Sequence, residues 1–493
     1  MKKLTFLPII AALTLTSNIV SAQETKKLTF DEVIKLAEVQ APNALIAKHR
    51  FRSSYWSYKS FVAQYRPSLT LTGTTPDYST AYTRVYVNGQ WQYVETNMLQ
   101  NIGALSLSQN IGPTGGSIAL ESDLTLQNDF KANTNQYVTV PMSIRLNQPI
   151  FRYNSLKWQK KTEPLKYETA KKTFLANIET VHMDAVRNFF ALALAQINKQ
   201  IAETNYSNAD TLYRIAKGRY NLGTIAEDEL LQMQLSWLNA ETSRKQADMN
   251  LRDKEIRLRS FLGYNENVRL ELILPTEIPN LQVDMKEVLD LAMKNNPDIM
   301  TYQLNLLNAQ ASLAQAKGEN GFNGNITASY GLQGKNADFN SAYDLNTTNK
   351  NQGVRLGFTL PILDWGLAKG KIRMARSSLE LTQVQVQQSQ IDFQQNLSLD
   401  VEQFNMQKNQ VEIAALSDTV AQKRYEVTKQ RFLIGKIAVL DLNDADTRKD
   451  TNRRAYVQAL QDYWNYFYNM RSLTLFDFIN KKPIETDYDQ LLK

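Results

Sequence analysis

The sequence predicts an α+β protein in which very long helices alternate with amphipathic strands, and in which this arrangement occurs twice. Three observations support the prediction: an internal repeat, several runs of alternating apolar and polar residues, and two stretches of about 65 residues almost without proline. Alternation with a period of two is typical of strands, and a helix of about 65 residues would be roughly 100 Å long. So long an amphipathic helix has to pack in a coiled coil or a bundle.

The first element along the chain is a basic and apolar amino-terminal segment. Lys2 and Lys3 precede an apolar run that ends at Val20, and small residues follow before Gln23. This pattern is typical of a secretory signal peptide, so residues 1–22 are expected to be removed on export. No later apolar run reaches about 18 residues, and the sequence therefore predicts no transmembrane helix.

The rest of the chain contains two copies of one pattern. One set of matching positions is Glu32, Val33, Leu36, Ala37 and Pro42, which recur as Glu287, Val288, Leu291, Ala292 and Pro297. A second set is Arg219, Gly223, Ile225 and Ala226, which recur as Arg431, Gly435, Ile437 and Ala438. We expect a first structural repeat at 23–263, a linker at 264–282, a second repeat at 283–475 and a C-terminal tail at 476–493.

Strands are expected in the first part of each repeat, at 67–150 and at 325–362. Apolar residues alternate with polar ones, as in Leu69 and Leu71 or in Val138, Val140, Met142, Ile144 and Leu146. The pattern fits a lipid-facing barrel and equally a half-buried soluble sheet. About 43 additional residues in the first copy include two more alternating runs, at 103–111 and 117–126. These runs are either further barrel strands or an external hairpin.

Helices are expected around the strands in both repeats. The first repeat has helices at 28–66, a long helix at 155–220 and a return helix at 226–262. The second has helices at 284–320, a long helix at 366–432 and a return helix at 437–474. The shorter helices placed end to end match the long ones in length, which would give a cylinder wall of even height.

This organisation, together with the turns RYNLGTIAEDELL (219–231) and RFLIGKIAVLDLNDA (431–445), resembles the TolC family of outer-membrane efflux and secretion channels. The resemblance covers essentially all of residues 28–475. It implies a homotrimer that shares a transmembrane β-barrel and encloses a coiled-coil tunnel reaching into the periplasm. In the family each protomer contributes four strands to a twelve-stranded barrel; here we expect four or more. An adaptor protein and an inner-membrane pump or ABC transporter engage the tunnel.

The two turns are the expected adaptor-docking sites. The positions that match the family's docking triplets are Leu222, Gly223, Thr224, Ile434, Gly435 and Lys436. A glycine at a helix end is also explained as an ordinary C-cap, and for one glycine alone both interpretations stay open. Two such turns in register favour docking as an added role.

Acidic residues near the second turn are expected at the tunnel entrance. The resemblance implies that Asp441 and Asp444 project there, so that a trimer would carry two rings of carboxylates that attract cations. The alternative is that these acids complement the helix dipole, which acts only within the first turn. Asp441 is judged to lie beyond that turn, which favours the rings.

One position departs from the family pattern. Ile437 occupies the place of an arginine that helps to hold the family's entrance closed. The matching acidic position is Glu229, next to Asp228, and the matching tyrosine position is Phe432. Lys436 is a candidate to pair with Asp228 or Glu229 in place of that latch.

The expected function is a passive outer-membrane channel whose tunnel extends into the periplasm. Cysteine is absent and there are two histidines, which excludes thiol nucleophiles and cysteine-ligated zinc. The formal net charge of +7 is modest, and basic residues are interleaved with acidic ones, so no nucleic acid is expected as a partner. No catalytic motif is recognised, and neither a cofactor nor enzymatic activity is expected. The main alternative is a periplasmic coiled-coil adaptor without a lumen.

Overall fold

The computed structural model describes residues 25–264, 268–275, 277–434, 436–437 and 439–492. The expected signal peptide lies outside the described residues. The elements follow in this order: β1 (Thr25–Thr29), α1 (Phe30–Gln40), α2 (Pro42–Ala63), β2 (Ser68–Val87), β3 (Gln90–Ile111), β4 (Gly116–Asp129), β5 (Thr134–Ile150), α3 (Ser155–Asn221), α4 (Glu227–Phe261), β6 (Arg269–Ile273), α5 (Met285–Asn295), α6 (Pro297–Glu319), β7 (Asn323–Asn336), α7 (Phe339–Tyr343), β8 (Asn349–Thr359), α8 (Leu367–Leu433), α9 (Val439–Thr474), β9 (Phe476–Asp477), β10 (Lys482–Pro483) and α10 (Tyr488–Leu492). Among these helices, none combines the length and the apolar character needed to cross a membrane.

The element order repeats along the chain. In each half two helices lead into strands, a helix of 67 residues follows, and a return helix ends the half. The repeated prolines, Pro42 and Pro297, are the first residues of α2 and α6. The residue before a proline disfavours the helical conformation, so each proline separates two short helices and starts the second one.

The chain folds into two compact units, and each unit takes segments from both repeats. Of the described residues, unit one comprises those within 25–45, 180–280 and 406–468, and unit two those within 46–179, 281–405 and 469–492. The repeats in the sequence are therefore not separate compact bodies.

In unit one an aromatic core forms around Phe30. Its ring lies 5.3 Å from that of Phe189, 5.9 Å from that of Phe190 and 4.7 Å from that of Trp464, measured between centroids. Beside this core β1 pairs in parallel with β6, with Leu28 opposite Leu272. The segment expected only as a linker therefore contains a strand, which sequence patterning missed because β6 has just five residues.

Unit two contains the six-stranded sheet, in the order β2-β3-β4-β5-β7-β8 with every neighbouring pair antiparallel. The runs at 103–111 and 117–126 lie in β3 and β4, between β2 and β5. They are interior strands of the sheet and do not form a hairpin outside it.

The face expected from the sequence for the apolar residues of β5 is wrong for those that precede Pro141. The register of β5 shifts between Thr139 and Met142, around Pro141, which has no amide hydrogen to donate. Thr139 pairs with Leu124, whereas Val140 pairs with Asp123. Val138 and Val140 therefore lie on the opposite face from Ile144 and Leu146.

The C-terminal tail packs into the core of unit two. Leu475 joins the buried cluster of Ala47, Phe51, Phe174 and Leu175, and Tyr488 packs against it. An ion-paired group lies nearby: the guanidinium of Arg471 donates twice to Glu179 at 2.8 Å and lies 3.1 Å from Asp477. Glu179 is 1% exposed, so this carboxylate depends on the arginine for compensation of its charge.

Candidate functional site at the two helical turns

The first turn ends α3 in a hydrogen-bonded cap. Gly223 has a φ of +70°, its amide donates to the carbonyl of Tyr220 at 2.8 Å, and the amide of Thr224 donates to that of Arg219 at 2.9 Å. These two bonds define a Schellman motif, which needs a left-handed residue where glycine is favoured. The cap leaves Leu222 80% exposed. The turn thus presents an apolar side chain to the outside, as a docking contact requires.

The second turn repeats the second of these bonds, which spans five positions along the chain. The amide of Lys436 donates to the carbonyl of Arg431 at 3.0 Å, the same separation along the chain as in the first turn. Ile434 is 66% exposed, in the position equivalent to Leu222. Gly435 and the side chain of Phe432 lie outside the described part of the chain.

Acidic residues begin the return helix after the first turn. Asp228 and Glu229 lie with Glu227 in the first turn of α4, where negative charge complements the helix dipole. Lys436 is exposed. Within the described ranges of a single chain, Lys436 forms no ion pair with Asp228 or Glu229, so the substitute latch stays a proposal about the assembled protein.

The structure separates the two aspartates after the second turn. Because α9 begins at Val439, Asp441 lies in its first turn. The argument that Asp441 lies too far from the helix start is therefore wrong, and its charge fits the helix dipole as well as a ring. Its side chain is exposed.

Asp444 forms a bridge between α8 and α9. Its carboxylate accepts from Arg448 at 2.9 Å to each oxygen and from Arg424 on α8 at 2.8 Å. The hydrogen bonds from Arg448 and then Arg424 hold the pKa of this carboxyl below its usual range. Two guanidinium groups therefore offset the charge of Asp444.

Further polar contacts join α8 to α9 near this bridge. Arg453 donates to the buried Asp418 at 2.9 Å, and the ammonium of Lys449 lies 4.0 Å from the centre of the Tyr425 ring. Burial lowers the pKa of Lys449, but the hydrogen bond with Asp446 and the nearby acids outweigh it and raise the pKa. The parts of α8 and α9 next to the second turn are thereby held together, and we call them the α8–α9 pair.

Two asparagine side chains of α3 bind this pair. Asn198 accepts from Arg454 at 2.7 Å, and Asn205 donates to Asp450 at 3.1 Å. Asp450 is 5% exposed. Sequence reasoning missed these residues because Asn198 and Arg454 are 256 positions apart in the chain, and Asn205 and Asp450 are 245 positions apart.

Apolar side chains on α8 form two stripes with heptad spacing. One is buried within the chain and includes Val411, Tyr425 and the paired Asp418. The other is exposed and consists of Met406, Ile413, Val420 and Val427. A displacement of two residues on a helix is about 200°, so the stripes lie on nearly opposite sides. Such a helix is built to have a neighbour on each side.

The described residues contain no group of three or more His, Asp or Glu side chains that could hold a metal ion. His182 is buried beside Tyr468, with 5.2 Å between ring centroids, and its Nε2 lies 3.6 Å from Glu38. This environment is that of a core histidine.

Known proteins show the same organisation. The model of the outer membrane efflux protein family matches residues 33–264 and 288–474. The chain is 20% identical to the outer membrane protein TolC of Escherichia coli strain K12 over 375 residues, which are 72% of this chain and 73% of that protein.

Solved structures share the fold at lower identity. The CmeC outer membrane channel of Campylobacter jejuni has a TM-score of 0.66 and 15% identity, over 94% of this chain and 88% of that one. The outer membrane protein VceC of Vibrio cholerae has a TM-score of 0.61 and 12% identity, over 92% and 97%. The resemblance drawn from the sequence is confirmed.

Proposed function

The chain belongs to the outer membrane efflux protein family, and from this premise we propose that three copies enclose a passive conduit from the periplasm across the outer membrane. The family is one of channels, and its members lie in the outer membrane with a tunnel extending into the periplasm. Substrate would move through a water-filled lumen, driven by an energised partner. The alternative of a periplasmic adaptor without a lumen is not favoured, and no enzymatic step is proposed.

The observation that carries the trimer is the exposed stripe on α8. Its four apolar side chains, at 406, 413, 420 and 427, are 56–66% exposed in the single chain. Heptad spacing is the pattern by which helices pack side by side, and a closed wall needs such a seam on both sides of each helix. We assign this stripe to contact with the next copy.

The two turns are proposed as the docking sites for a periplasmic adaptor, with an inner-membrane pump or ABC transporter behind it. Leu222 and Ile434 supply the exposed apolar contacts, and Gly223 with its positive φ allows the close first turn. Gly435 occupies the matching sequence position in the second turn. Thr224 and Lys436 lie next to them and would set the specificity of docking. The entrance is proposed to include Asp441, with Asp444 as a structural bridge beside it.

A matched pair of variants tests the trimer. Val420→Asp places a carboxylate in the stripe, while Thr419→Asp places the same charge on the adjacent exposed residue, whose hydroxyl donates to Ala415 of its own helix. We expect Val420→Asp to abolish the heat-sensitive trimer band on a gel and Thr419→Asp to retain it. A stable trimer in both variants would contradict the assignment, and a soluble periplasmic monomer for the unaltered protein would exclude the channel.

A further inference from the structure

The four interior strands of the sheet include a hairpin that the family's four-strand pattern does not need. β3 and β4 pair without interruption from Met98 opposite Asp129 to Ile111 opposite Gly116. β4 then continues into β5, and β3 pairs with β2 along the other side. The hairpin is therefore part of the sheet on both of its sides.

Its lower turn is fixed at the junctions where strands meet helices. Asn154, just before α3, donates to the carbonyls of Gly112 and Pro113 at 3.0 and 3.1 Å. On the other side Asn110 donates to the carbonyl of Gln64, after α2, at 3.0 Å. A Cβ added to Gly112 would lie 2.9 Å from the Tyr65 ring, so the turn is packed closely against this junction.

The faces of the added strands match those of their neighbours. Leu107 of β3, Leu120 of β4 and Ile144 of β5 are cross-strand partners in one continuous row. The opposite face carries polar groups such as Ser106 and Glu121, and Glu121 pairs with Arg145 at 2.9 Å. An apolar face that continues across six strands, with a polar face behind it, is the pattern of a barrel wall between lipid and water.

The lengths and directions of the strands also satisfy closure. β4 has 14 residues, and about 9–11 residues are enough to span a membrane. β2 and β8 are the two edges, and they run in opposite directions because each neighbouring pair in the sheet is antiparallel. Open edges are not tolerated in lipid, so β2 of one copy has to pair with β8 of the next.

Resting on the proposed trimeric channel, we propose that the shared barrel has eighteen strands, six from each copy, instead of twelve. At a strand spacing of about 4.8 Å and a tilt of about 40°, twelve strands give a backbone radius of about 12 Å and eighteen give about 18 Å. The exit is then about one and a half times as wide. The size limit for cargo is set at the helical entrance, and the barrel admits bulkier molecules than a twelve-stranded exit.

Because the chain has no cysteine, single-cysteine variants of the full-length protein in lipid nanodiscs test this directly. Leu120→Cys on the apolar face of β4 and Ala119→Cys on its polar face receive a fluorescent maleimide. Leu356→Cys on β8, whose position faces the same side as Ile326, is the reference. We expect brominated lipid to quench Leu120→Cys as strongly as Leu356→Cys and at least twofold more than Ala119→Cys, with the order reversed for iodide.

The outcomes distinguish a failure of the eighteen-stranded barrel from a failure of the proposed channel function. A stable trimer in which Leu120→Cys is open to iodide and unaffected by brominated lipid would overturn the eighteen-stranded barrel and leave the channel intact. Loss of the trimer in the unaltered protein would instead remove the proposed function. If the cysteine variants do not assemble, an electron microscopy map of the unaltered trimer decides by its strand number: eighteen supports the inference and twelve refutes it.

Discussion

Asn205→Ala is expected to open the channel more often. In the described structure the amide of Asn205 donates to Asp450, one of the asparagine contacts that attach the α8–α9 pair to the part of α3 near the first turn. If opening moves this pair away from α3, the contact exists only in the closed state. A substitution that removes it then shifts the equilibrium toward the open state, because only a contact that differs between the two states can do so.

The size of the shift follows from the charge and burial of the partners. A hydrogen bond to a charged group contributes about 1.5–3 kcal/mol. Asn205 is half-buried, which places the bond near 1.5 kcal/mol, and about 1.4 kcal/mol corresponds to a factor of ten in an equilibrium constant. Asp450 adds to the effect, because it loses a partner while 5% exposed and regains water when the helices separate. We therefore expect roughly a tenfold rise in the open-to-closed ratio for each protomer that moves.

Single-channel recording in planar bilayers measures this ratio. Thr204→Ala is the matched control, because it shortens the adjacent exposed side chain, whose hydroxyl donates to Gln200 of its own helix. An increase in open probability for Asn205→Ala alone supports the argument. If Asn205→Ala lowers the melting temperature of the trimer and leaves open probability at the level of Thr204→Ala, the contact is structural and the reasoning fails.

Four further predictions concern charged groups. Arg471→Ala leaves the carboxylate of Glu179 buried without its bidentate partner, so we expect a loss of about 3–5 kcal/mol, seen as a lower melting temperature of the purified trimer; a change no larger than that of an exposed surface arginine would contradict this. Asp441→Asn is expected to reduce the cation-to-anion permeability ratio, measured from reversal potentials in a salt gradient, more than Asp444→Asn does, because two arginines already offset Asp444; the opposite order would refute the argument. The pKa of Asp444 is lowered, so its bridge is fully present above the ordinary carboxyl pKa and is lost only as the pH falls through the lowered value. The difference in open probability between Asp444→Asn and the unaltered channel should therefore stay constant from pH 8 to pH 5. Lys436→Ala is expected to raise conductance if its ammonium pairs with Asp228 or Glu229 in the trimer, and unchanged conductance would count against that latch.

The parts of the fold that sequence reasoning could reach are those with a local signal. The prolines at 42 and 297 separate helices because of sterics between adjacent residues, and a turn glycine such as Gly223 ends a helix through bonds within six residues. Strand alternation is equally local. It failed at Val138 and Val140 because one irregularity in the ladder reverses which face every later side chain occupies.

The parts that escaped depend on residues far apart in the chain. The bridge from Asp444 to Arg424 and the contact from Asn205 to Asp450 join side chains 20 and 245 positions apart, and nothing in either local segment identifies the partner. Asp441 and Asp444 look equivalent in the sequence because they share a helix face. Only the position of Val439 as the helix start and the placement of two arginines make one an exposed carboxylate in the first turn and the other a bridge.

The distribution of these contacts also indicates which parts of unit one move together. Between α8 and α9 the contacts are charged pairs or ring contacts, and one of them involves the buried Asp418, whose separation from Arg453 would leave a charge without compensation. Between this pair and residues 198–205 of α3 the side-chain hydrogen bonds of the described residues use asparagines, and a neutral amide can exchange its partner for water at small cost. Farther from the turns, α9 is held to α3 by the buried pair of Arg471 and Glu179. The asparagine contacts therefore break first, and the ends of α8 and α9 nearest the second turn separate from α3 as one body. Asn205→Ala acts on that boundary, whereas Arg453→Ala acts within the moving body and is expected to lower stability without raising open probability.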